Sequence, residues 1–330
     1  MSDSFRSILQ TVVPDDGTRD SLISSVIPFL LGSVAEIAKA LRESHHVATM
    51  GTANSFGDNQ LNVDVEAEKL IRKAISRCPF ILTASSEEDP VERAVRDKSG
   101  TGQYCVAFDP LDGSSIIPAN WTVGTILSIW DGPSALGQVP AQRQVAAILG
   151  VYGPRTTAVV AVRIPETGRR TCFEVALDDK GWIMTKWRVT RPTLTLLSSN
   201  STGASYFSPA NLRAAAQDPR YMSLVTSYIA RQYTLRYAGG LVPDVVHMLV
   251  QGKGVYLSPV TAQSKAKLRR LYELCPLALV VECAGGEAVD PSDGRRVLET
   301  VVTSCDERSG VVFGSGEEVR AAVGVLMGKE

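Results

Sequence analysis

Apolar side chains recur every three or four residues in two segments near the start of the chain. In the first segment, residues 20–43, apolar residues such as Leu22 and Val26 fall on one helical stripe. This spacing predicts a long helix, kinked at Pro28 because proline cannot supply a backbone N–H. Residues 60–76 show the same period and predict a second helix.

From about residue 78 to residue 200 the pattern changes to short apolar runs separated by turn residues. Runs of this length and content predict strands, here over 79–84, 104–108, 122–130, 144–152 and 157–164. Beyond residue 208 helical and strand-like patterns alternate. The helix candidates are 209–215, 219–234, 243–251, 264–275 and 316–327, and the strand candidates are 253–257 and 277–283. The chain is therefore predicted to be an α/β protein with layered sheets.

The length of 330 residues favours two packed halves, because a single core rarely grows beyond about 250–300 residues. A small polar stretch over residues 198–205 predicts the boundary. The chain carries 34 Lys and Arg against 35 Asp and Glu, and this balance argues against nucleic acid or an anionic membrane as the main partner. No apolar run approaches the roughly 20 residues that span a bilayer, so a soluble protein is expected.

The cysteines and the start of the sequence bear on the cellular compartment. Six cysteines in a chain of this length are too sparse for a disulfide scaffold and contain no C-x-x-C pair. The first residues show neither a secretory signal nor the arginine-rich composition of a transit peptide. These observations predict reduced thiols and a cytoplasmic location.

The stretch with the clearest chemistry is residues 109–115, which read Asp-Pro-Leu-Asp-Gly-Ser-Ser directly after a predicted strand. Asp109 and Asp112 could converge with the Leu111 carbonyl on a hard cation, and ligands that are all oxygen suit Mg²⁺ or Mn²⁺. The backbone N–H groups of residues 113–115 could bind an anion. Metal and phosphate sites in one loop indicate phosphoryl chemistry, although a motif this short also fits an ordinary turn with Asp caps.

Four segments, in this order, resemble the motifs of the metal-dependent sugar bisphosphatases, the family of fructose-1,6- and sedoheptulose-1,7-bisphosphatases. These segments are residues 54–64, 86–89, 109–115 and 267–273, and the resemblance spans roughly residues 17–290. It implies the layered α/β/α/β/α sugar-phosphatase fold. It also implies an N-terminal domain over residues 1–200 with most metal ligands, and a C-terminal domain over residues 201–330 with the sugar-phosphate pocket and the last ligand.

The resemblance also implies a reaction, the hydrolysis of the 1-phosphate of a ketose bisphosphate with two or three Mg²⁺ ions, for which Mn²⁺ could substitute. The implied metal ligands are Asp58, Glu87, Asp109, the Leu111 carbonyl, Asp112 and Glu273. Asp64 and Glu88 would orient and deprotonate the attacking water. The implied substrate-binding residues are Asp112, Gly113, Ser114, Ser115, Asn211, Arg213, Arg236, Tyr237 and Lys267. Arg236 would reach into a neighbouring subunit, so the resemblance implies a homodimer or homotetramer.

Three further segments, residues 206–213, 233–245 and 258–267, resemble the members that act on the seven-carbon sugar. Members that act on the six-carbon sugar carry a Tyr-Pro pair and a pocket tyrosine, where this chain has Ser258-Pro259 and Arg213. The planar guanidinium of arginine can hold a phosphate through two hydrogen bonds. The resemblance therefore implies sedoheptulose 1,7-bisphosphate as the substrate.

Two alternative functions remain open. The first is a fructose-1,6-bisphosphatase or an enzyme that accepts both sugars, because one carbon gives modest discrimination. The second is a catalytically silent sugar-phosphate sensor. Such sensors usually lose at least one ligand, whereas the carboxylates of this chain form a complete set.

Two regulatory features of the family are missing from this sequence. Residues 48–53, just before the first motif, contain no cysteine where plant members carry a redox-sensitive pair. Gln103 and Asp131 stand where AMP-binding members carry a lysine and an arginine. An acidic side chain repels a nucleotide phosphate, so neither redox control through that pair nor inhibition by AMP is expected.

Overall fold

The strands form three sheets within residues 3–11, 17, 19–53, 59–95, 103–178, 187–197 and 205–329, the part of the chain that the computed structural model describes. The strands are β1 (Thr49–Ala53), β2 (Asn59–Leu61), β3 (Ile81–Ser86), β4 (Arg93–Ala94), β5 (Tyr104–Asp112), β6 (Val123–Asp131), β7 (Gln144–Tyr152), β8 (Thr156–Ile164), β9 (Arg169–Leu177), β10 (Trp187–Arg191), β11 (Tyr206–Pro209), β12 (Thr234–Leu235), β13 (Val255–Ser258), β14 (Glu287–Val289) and β15 (Val311–Gly314). The eight-stranded sheet has the order β10-β9-β8-β7-β6-β5-β3-β4, the five-stranded sheet the order β12-β11-β13-β15-β14, and β1 pairs with β2.

The helices cover the faces of the two larger sheets. They are α1 (Asp3–Gln10), α2 (Ile27–Glu43), α3 (Asn62–Arg77), α4 (Pro140–Arg143), α5 (Pro219–Ala230), α6 (Leu241–Gln251), α7 (Cys275–Cys283) and α8 (Gly316–Met327). Single π-helical turns precede α2 and α7, over Leu22–Val26 and Arg270–Leu274. Short 3₁₀ turns lie at Ile117–Ala119, Leu212–Ala216 and Val297–Glu299.

Three hydrophobic cores hold together five layers of helices and sheets, and the middle core contacts both sheets. The first core packs α2 and α3 against one face of the eight-stranded sheet. The second lies around α6 and α7, which are enclosed between the eight-stranded and five-stranded sheets. The third packs α5 and α8 on the outer face of the five-stranded sheet. The architecture is therefore the predicted α/β/α/β/α arrangement, with helices on both faces of each large sheet.

The sequence-based prediction for residues 277–283 is wrong, because this apolar run lies within α7 and is not a strand. All nine residues of α7 are buried. A helix enclosed between two sheets is apolar on every side, so it loses the helical period and cannot be distinguished by pattern from a buried strand. The predicted helix over 264–275 shrinks to the π-helical turn Arg270–Leu274.

The segment Leu22–Glu43 corrects the expectation that no run has the character of a membrane span. By length and mean hydropathy it could cross a bilayer, yet 61% of its most apolar window is buried inside the protein. Its apolar residues form part of the first core. Pro28 lies in the first turn of α2, directly after the π-helical turn, and the helix continues through it.

Candidate active site

A β-bulge shapes the segment that carries Asp109 and Asp112. In the pairing of β5 with β6, Asp109 lies opposite Ile126 and Asp112 lies opposite Gly124. Three steps along β5 therefore match two steps along β6, so one extra residue is inserted. In a regular strand two residues three positions apart point to opposite faces. The bulge removes this alternation and allows both carboxylates to face one site.

Asp109, Asp112 and Glu273 form a buried carboxylate cluster. Each offers an oxygen within 4.8 Å of the other two. Burial and the neighbouring carboxylates raise the pKa of Asp109 and of Glu273 well above the ordinary values, and burial raises the pKa of Asp112 to about 6. Three like charges held this closely and out of water need a counter-charge. The donor set is entirely oxygen, which fits a hard divalent cation such as Mg²⁺ or Mn²⁺.

Asp112 also anchors the first turn of α6. Its two oxygens accept the backbone N–H groups of Leu241 and Val242 at 3.1 and 2.7 Å. Those N–H groups are among the unpaired donors of a helix N-terminus, where a negative charge is favourable. Gly124 makes the close approach of α6 to β6 feasible, because a Cβ there would lie 2.5 Å from Cβ of Val242.

Arg269 brings a positive charge into the cluster. Its guanidinium forms an ion pair with Glu87, and its backbone N–H donates to Glu273 at 2.5 Å. The Arg269 side chain is only 4% exposed. From sequence, Arg269 and Glu273 could be read as an ordinary helical pair, but the structure uses the Arg269 side chain to hold Glu87. A cation that takes Glu87 as a ligand must compete with this guanidinium.

Asp64 lies in the first turn of α3 and connects that helix to the loop after β5. Its carboxylate accepts the Leu61 backbone N–H at 3.0 Å and the Ser114 hydroxyl at 3.1 Å. Burial raises the pKa of Asp64 to about 6, and the charge of Glu88 adds to the increase. Asp64 and Glu88 line the same cavity.

A cavity of about 680 Å³ brings together nearly all the site residues predicted from sequence. Its walls include Asp64, Glu87, Glu88, Asp109, Leu111, Asp112, Gly113, Ser114, Ser115, Asn211, Arg213, Tyr237, Lys267 and Glu273. Asp58 lies outside the described residues. Arg236 is not in the cavity wall; its guanidinium donates to the Leu235 carbonyl and lies 5.7 Å from the centre of the Tyr206 ring.

Asn211 lines the cavity but uses its side-chain amide to hold a neighbouring loop. The amide nitrogen donates to the Pro259 carbonyl at 2.7 Å, and the amide oxygen accepts the Ser264 hydroxyl at 2.6 Å. The backbone of Asn211 is left-handed, at a φ of 49°, a conformation that asparagine tolerates better than most residues. In this structure Asn211 positions the loop that leads to Lys267.

Two exposed basic residues of the cavity wall, Lys265 and Arg308, were not among the site residues predicted from sequence. Lys265 lies two residues before Lys267, so its presence in the same segment was an available signal. Arg308 lies far along the chain and reaches the cavity because its backbone bridges to that of Arg269. Together with Arg213 and Lys267 they form a basic group of four exposed side chains in the cavity wall.

The raised pKa values predict how the stability of the metal-free protein depends on pH. Because the folded state binds protons on Asp112 more tightly than the unfolded state does, its contribution to stability decreases as the pH rises from about 4 through about 6. Asp109 and Glu273 act in the same direction. We expect Mg²⁺ to raise the melting temperature more at pH 8 than at pH 5.5, as measured by thermal denaturation with EDTA or Mg²⁺. An equal rise in melting temperature at both pH values would contradict the raised pKa values of these carboxyl groups.

Comparisons with known proteins agree with this geometry. Sequence models of the fructose-1,6-bisphosphatase N-terminal and C-terminal domains match residues 16–186 and 201–327. The chain is 44% identical over 275 residues to the chloroplastic sedoheptulose-1,7-bisphosphatase of Triticum aestivum, covering 82% of this chain. The match spans 65% of the length of that relative, just under two thirds.

Two further comparisons extend over at least 96% of the chain. The class 1 fructose-1,6-bisphosphatase of Syntrophotalea carbinolica is 34% identical over 325 residues, covering 96% of this chain and 93% of that protein. A crystal structure from Toxoplasma gondii, provisionally named a sedoheptulose-1,7 bisphosphatase, superposes with a TM-score of 0.86 at 33% identity and covers 100% of this chain and 99% of its own. On these matches and on the arrangement of its carboxylate cluster, the chain belongs to the fructose-1,6-bisphosphatase family.

Proposed function

We propose that this protein hydrolyses the 1-phosphate of sedoheptulose 1,7-bisphosphate, giving sedoheptulose 7-phosphate and inorganic phosphate in carbohydrate metabolism. The observation that carries the proposal is a single cavity that contains both a buried carboxylate cluster and a basic group of four side chains. The first suits divalent cations and the second suits phosphate. The similarity to named sedoheptulose-1,7-bisphosphatases supports the choice of sugar.

The metal centre would hold two or three Mg²⁺ ions, or Mn²⁺ in their place. Asp109, Asp112, Glu273, Glu87 and the Leu111 carbonyl would be ligands, joined by Asp58. Bound divalent cations would neutralise the phosphoryl oxygens and the leaving alkoxide. Because Glu87 is paired with Arg269, it would turn from the guanidinium to complete the centre.

The protein residues would position the substrate and move the proton. The backbone N–H groups of residues 113–115 would hold the 1-phosphate, with Gly113 at a φ of 98° that disfavours any other residue. Asp64 and Glu88 would orient a water molecule and accept its proton. The water oxygen then bonds to phosphorus as the bond from phosphorus to the sugar oxygen breaks, and the alkoxide takes up a proton. Positioning and charge neutralisation account for most of the acceleration.

The remaining substrate contacts would come from Arg213, Tyr237 and Lys267, with Asn211 supporting the loop. We also propose that the enzyme is located in the cytoplasm.

Arg236 would contribute to the cavity of a neighbouring subunit, in a homodimer or homotetramer. Size-exclusion chromatography with light scattering tests the oligomer, and a monomer that hydrolyses the substrate at full rate would exclude a role for Arg236 across an interface.

The direct test of the substrate is phosphate release with Mg²⁺ from sedoheptulose 1,7-bisphosphate and fructose 1,6-bisphosphate, compared as kcat/KM. We expect a preference of roughly tenfold or more for the seven-carbon sugar, equivalent to about 1.4 kcal/mol. Equal values would identify an enzyme that accepts both sugars, an alternative supported by the similarity to class 1 fructose-1,6-bisphosphatases. Tight sugar-phosphate binding without hydrolysis would identify a sensor.

Replacement of Arg213 with alanine tests the phosphate contact. A hydrogen bond to a charged group contributes about 1.5–3 kcal/mol, so we expect kcat/KM for sedoheptulose 1,7-bisphosphate to fall by roughly tenfold or more. The loss should lie mainly in KM, because Arg213 would contact the part of the substrate that does not react. Arg220→Ala is the matched control, since Arg220 is exposed and pairs with Asp218 away from the cavity. A loss confined to kcat would contradict this role.

A further inference from the structure

The structure assigns a positioning role for Asp109 to Thr125, a fully buried residue of β6 that the proposed mechanism does not use. Thr125 lies between Gly124 and Ile126, the two residues that face the ends of the bulge in β5. Its hydroxyl lies 2.7 Å from the Pro110 carbonyl. Thr125 is therefore placed against the bulge that brings the carboxylates together. This inference rests on the proposed metal-binding role of Asp109.

The Pro110–Leu111 peptide unit is held at both of its polar ends. Its carbonyl accepts the Thr125 hydroxyl, and its N–H donates to Oδ1 of Asp109 at 3.0 Å. Because a peptide unit is planar, fixing the direction of the carbonyl also fixes the direction of the N–H. The Thr125 hydroxyl therefore orients the N–H that in turn orients the Asp109 carboxylate.

Tyr152 of β7 fixes the direction of the Thr125 hydroxyl. The two hydroxyl oxygens lie 2.7 Å apart. A threonine hydroxyl has one hydrogen, and that hydrogen is directed to Pro110, so Tyr152 must be the donor to Thr125. Gly150 lies opposite Thr125 in β7, where a Cβ would come within 3.3 Å of the Tyr152 hydroxyl. The result is a chain of hydrogen bonds from Tyr152 through Thr125 to Pro110.

We expect loss of the Thr125 hydroxyl to weaken metal binding and to leave sugar binding unchanged. T125V keeps the shape of the side chain but leaves the Pro110 carbonyl without its donor, whereas T125S keeps the hydroxyl. Residues that orient the ligands of a metal site without binding the metal typically account for about 10–100-fold in metal affinity. We therefore expect T125V to bind Mn²⁺ at least roughly tenfold more weakly, T125S to bind like the wild type, and Y152F to show a smaller loss.

The measurement is a titration of metal-free protein with Mn²⁺, with free Mn²⁺ read by electron paramagnetic resonance. Ser128→Ala is the matched control, because Ser128 is a fully buried residue of the same strand. Its hydroxyl accepts a hydrogen bond from the Gln144 amide and forms no hydrogen bond with residues 109–115. Wild-type affinity in T125V, or an equal loss in S128A, would overturn the inference. If T125V does not fold, Y152F decides: weaker Mn²⁺ binding supports the chain of hydrogen bonds, and unchanged binding overturns it.

Kinetics provide a second readout with the same variants. T125V should raise the Mg²⁺ concentration needed for half-maximal activity while KM for the sugar bisphosphate stays constant, a split that a general loss of stability would not produce. Wild-type protein that binds no Mn²⁺ would overturn the proposed metal centre itself. Wild-type protein that binds Mn²⁺ alongside an unaffected T125V would overturn only the role of Thr125.

Discussion

Asp109→Asn is expected to reduce metal-dependent hydrolysis at least roughly a hundredfold and, in the absence of metal, to stabilise the fold. The substitution keeps the shape of the side chain and an oxygen that can accept the Leu111 N–H. It removes one negative charge from a buried cluster whose three carboxylates lie within 4.8 Å of one another. Like charges at this separation repel strongly away from water. The same change that removes a metal ligand therefore relieves repulsion in the metal-free protein.

The two effects can be measured on one preparation at pH 8. We expect Asp109→Asn to lower kcat/KM at least roughly a hundredfold, because replacing a residue that only orients a metal ligand can already cost about a hundredfold. We also expect it to raise the melting temperature in EDTA. Glu282→Gln is the matched control, because Glu282 is equally buried but pairs with Arg296 and Arg163 and lies outside the cavity. The Glu282→Gln variant should retain activity and lose stability, since the two arginines are left without their negatively charged partner. A lower melting temperature in EDTA for Asp109→Asn would contradict the repulsive cluster.

Asp64→Asn is expected to lower kcat by about 10²–10⁴-fold, the usual contribution of a general base, while leaving Mn²⁺ binding nearly unchanged. Asp64 lies beside the carboxylate cluster and is not part of it. Its pKa is about 6 in the metal-free protein, and bound cations would lower that value. A base acts only when deprotonated, so the rate of the wild type should fall as the pH drops through a value at or below about 6. The variant should lose this dependence.

Glu68→Gln is a closely matched control for Asp64→Asn. Glu68 lies one turn further along α3, accepts the Ser86 hydroxyl as Asp64 accepts that of Ser114, and has a pKa that burial also raises. It does not line the cavity. We expect Glu68→Gln to keep most of the activity and the wild-type pH profile. An Asp64→Asn variant with near wild-type kcat would exclude Asp64 as the base.

Much of the fold was predictable because hydrophobic period and length identify most of the elements. The helices α2 and α3 and the strands from β5 to β8 lie close to their predicted ranges. The strands β9 and β10 carry exposed charged residues at several positions, and therefore lack the apolar run that identifies a strand. Helix α7 was misassigned for the opposite reason, since every position in it is apolar or buried.

The loop of residues 109–115 was predictable from sequence because Asp109, Leu111 and Asp112, its proposed metal ligands, lie within four consecutive residues. Arg269 and Arg308 were not, because their place in the cavity depends on a bridge between two segments that only the fold brings together. The hydrogen bonds of the Asn211 amide with Pro259 and Ser264 could not be predicted from sequence either, since a side chain's partners depend on loop conformation. The β-bulge that aligns Asp109 with Asp112 is a property of strand register, which no single strand encodes.

The most direct test is phosphorus NMR of sedoheptulose 1,7-bisphosphate incubated with wild-type protein, with and without EDTA, and with Asp112→Ala. The proposed function predicts one equivalent of inorganic phosphate and sedoheptulose 7-phosphate as the sole sugar product, formed only by the wild type with Mg²⁺. Release that persists in EDTA or in Asp112→Ala, or no release from the wild type with Mg²⁺, would contradict hydrolysis at the carboxylate cluster.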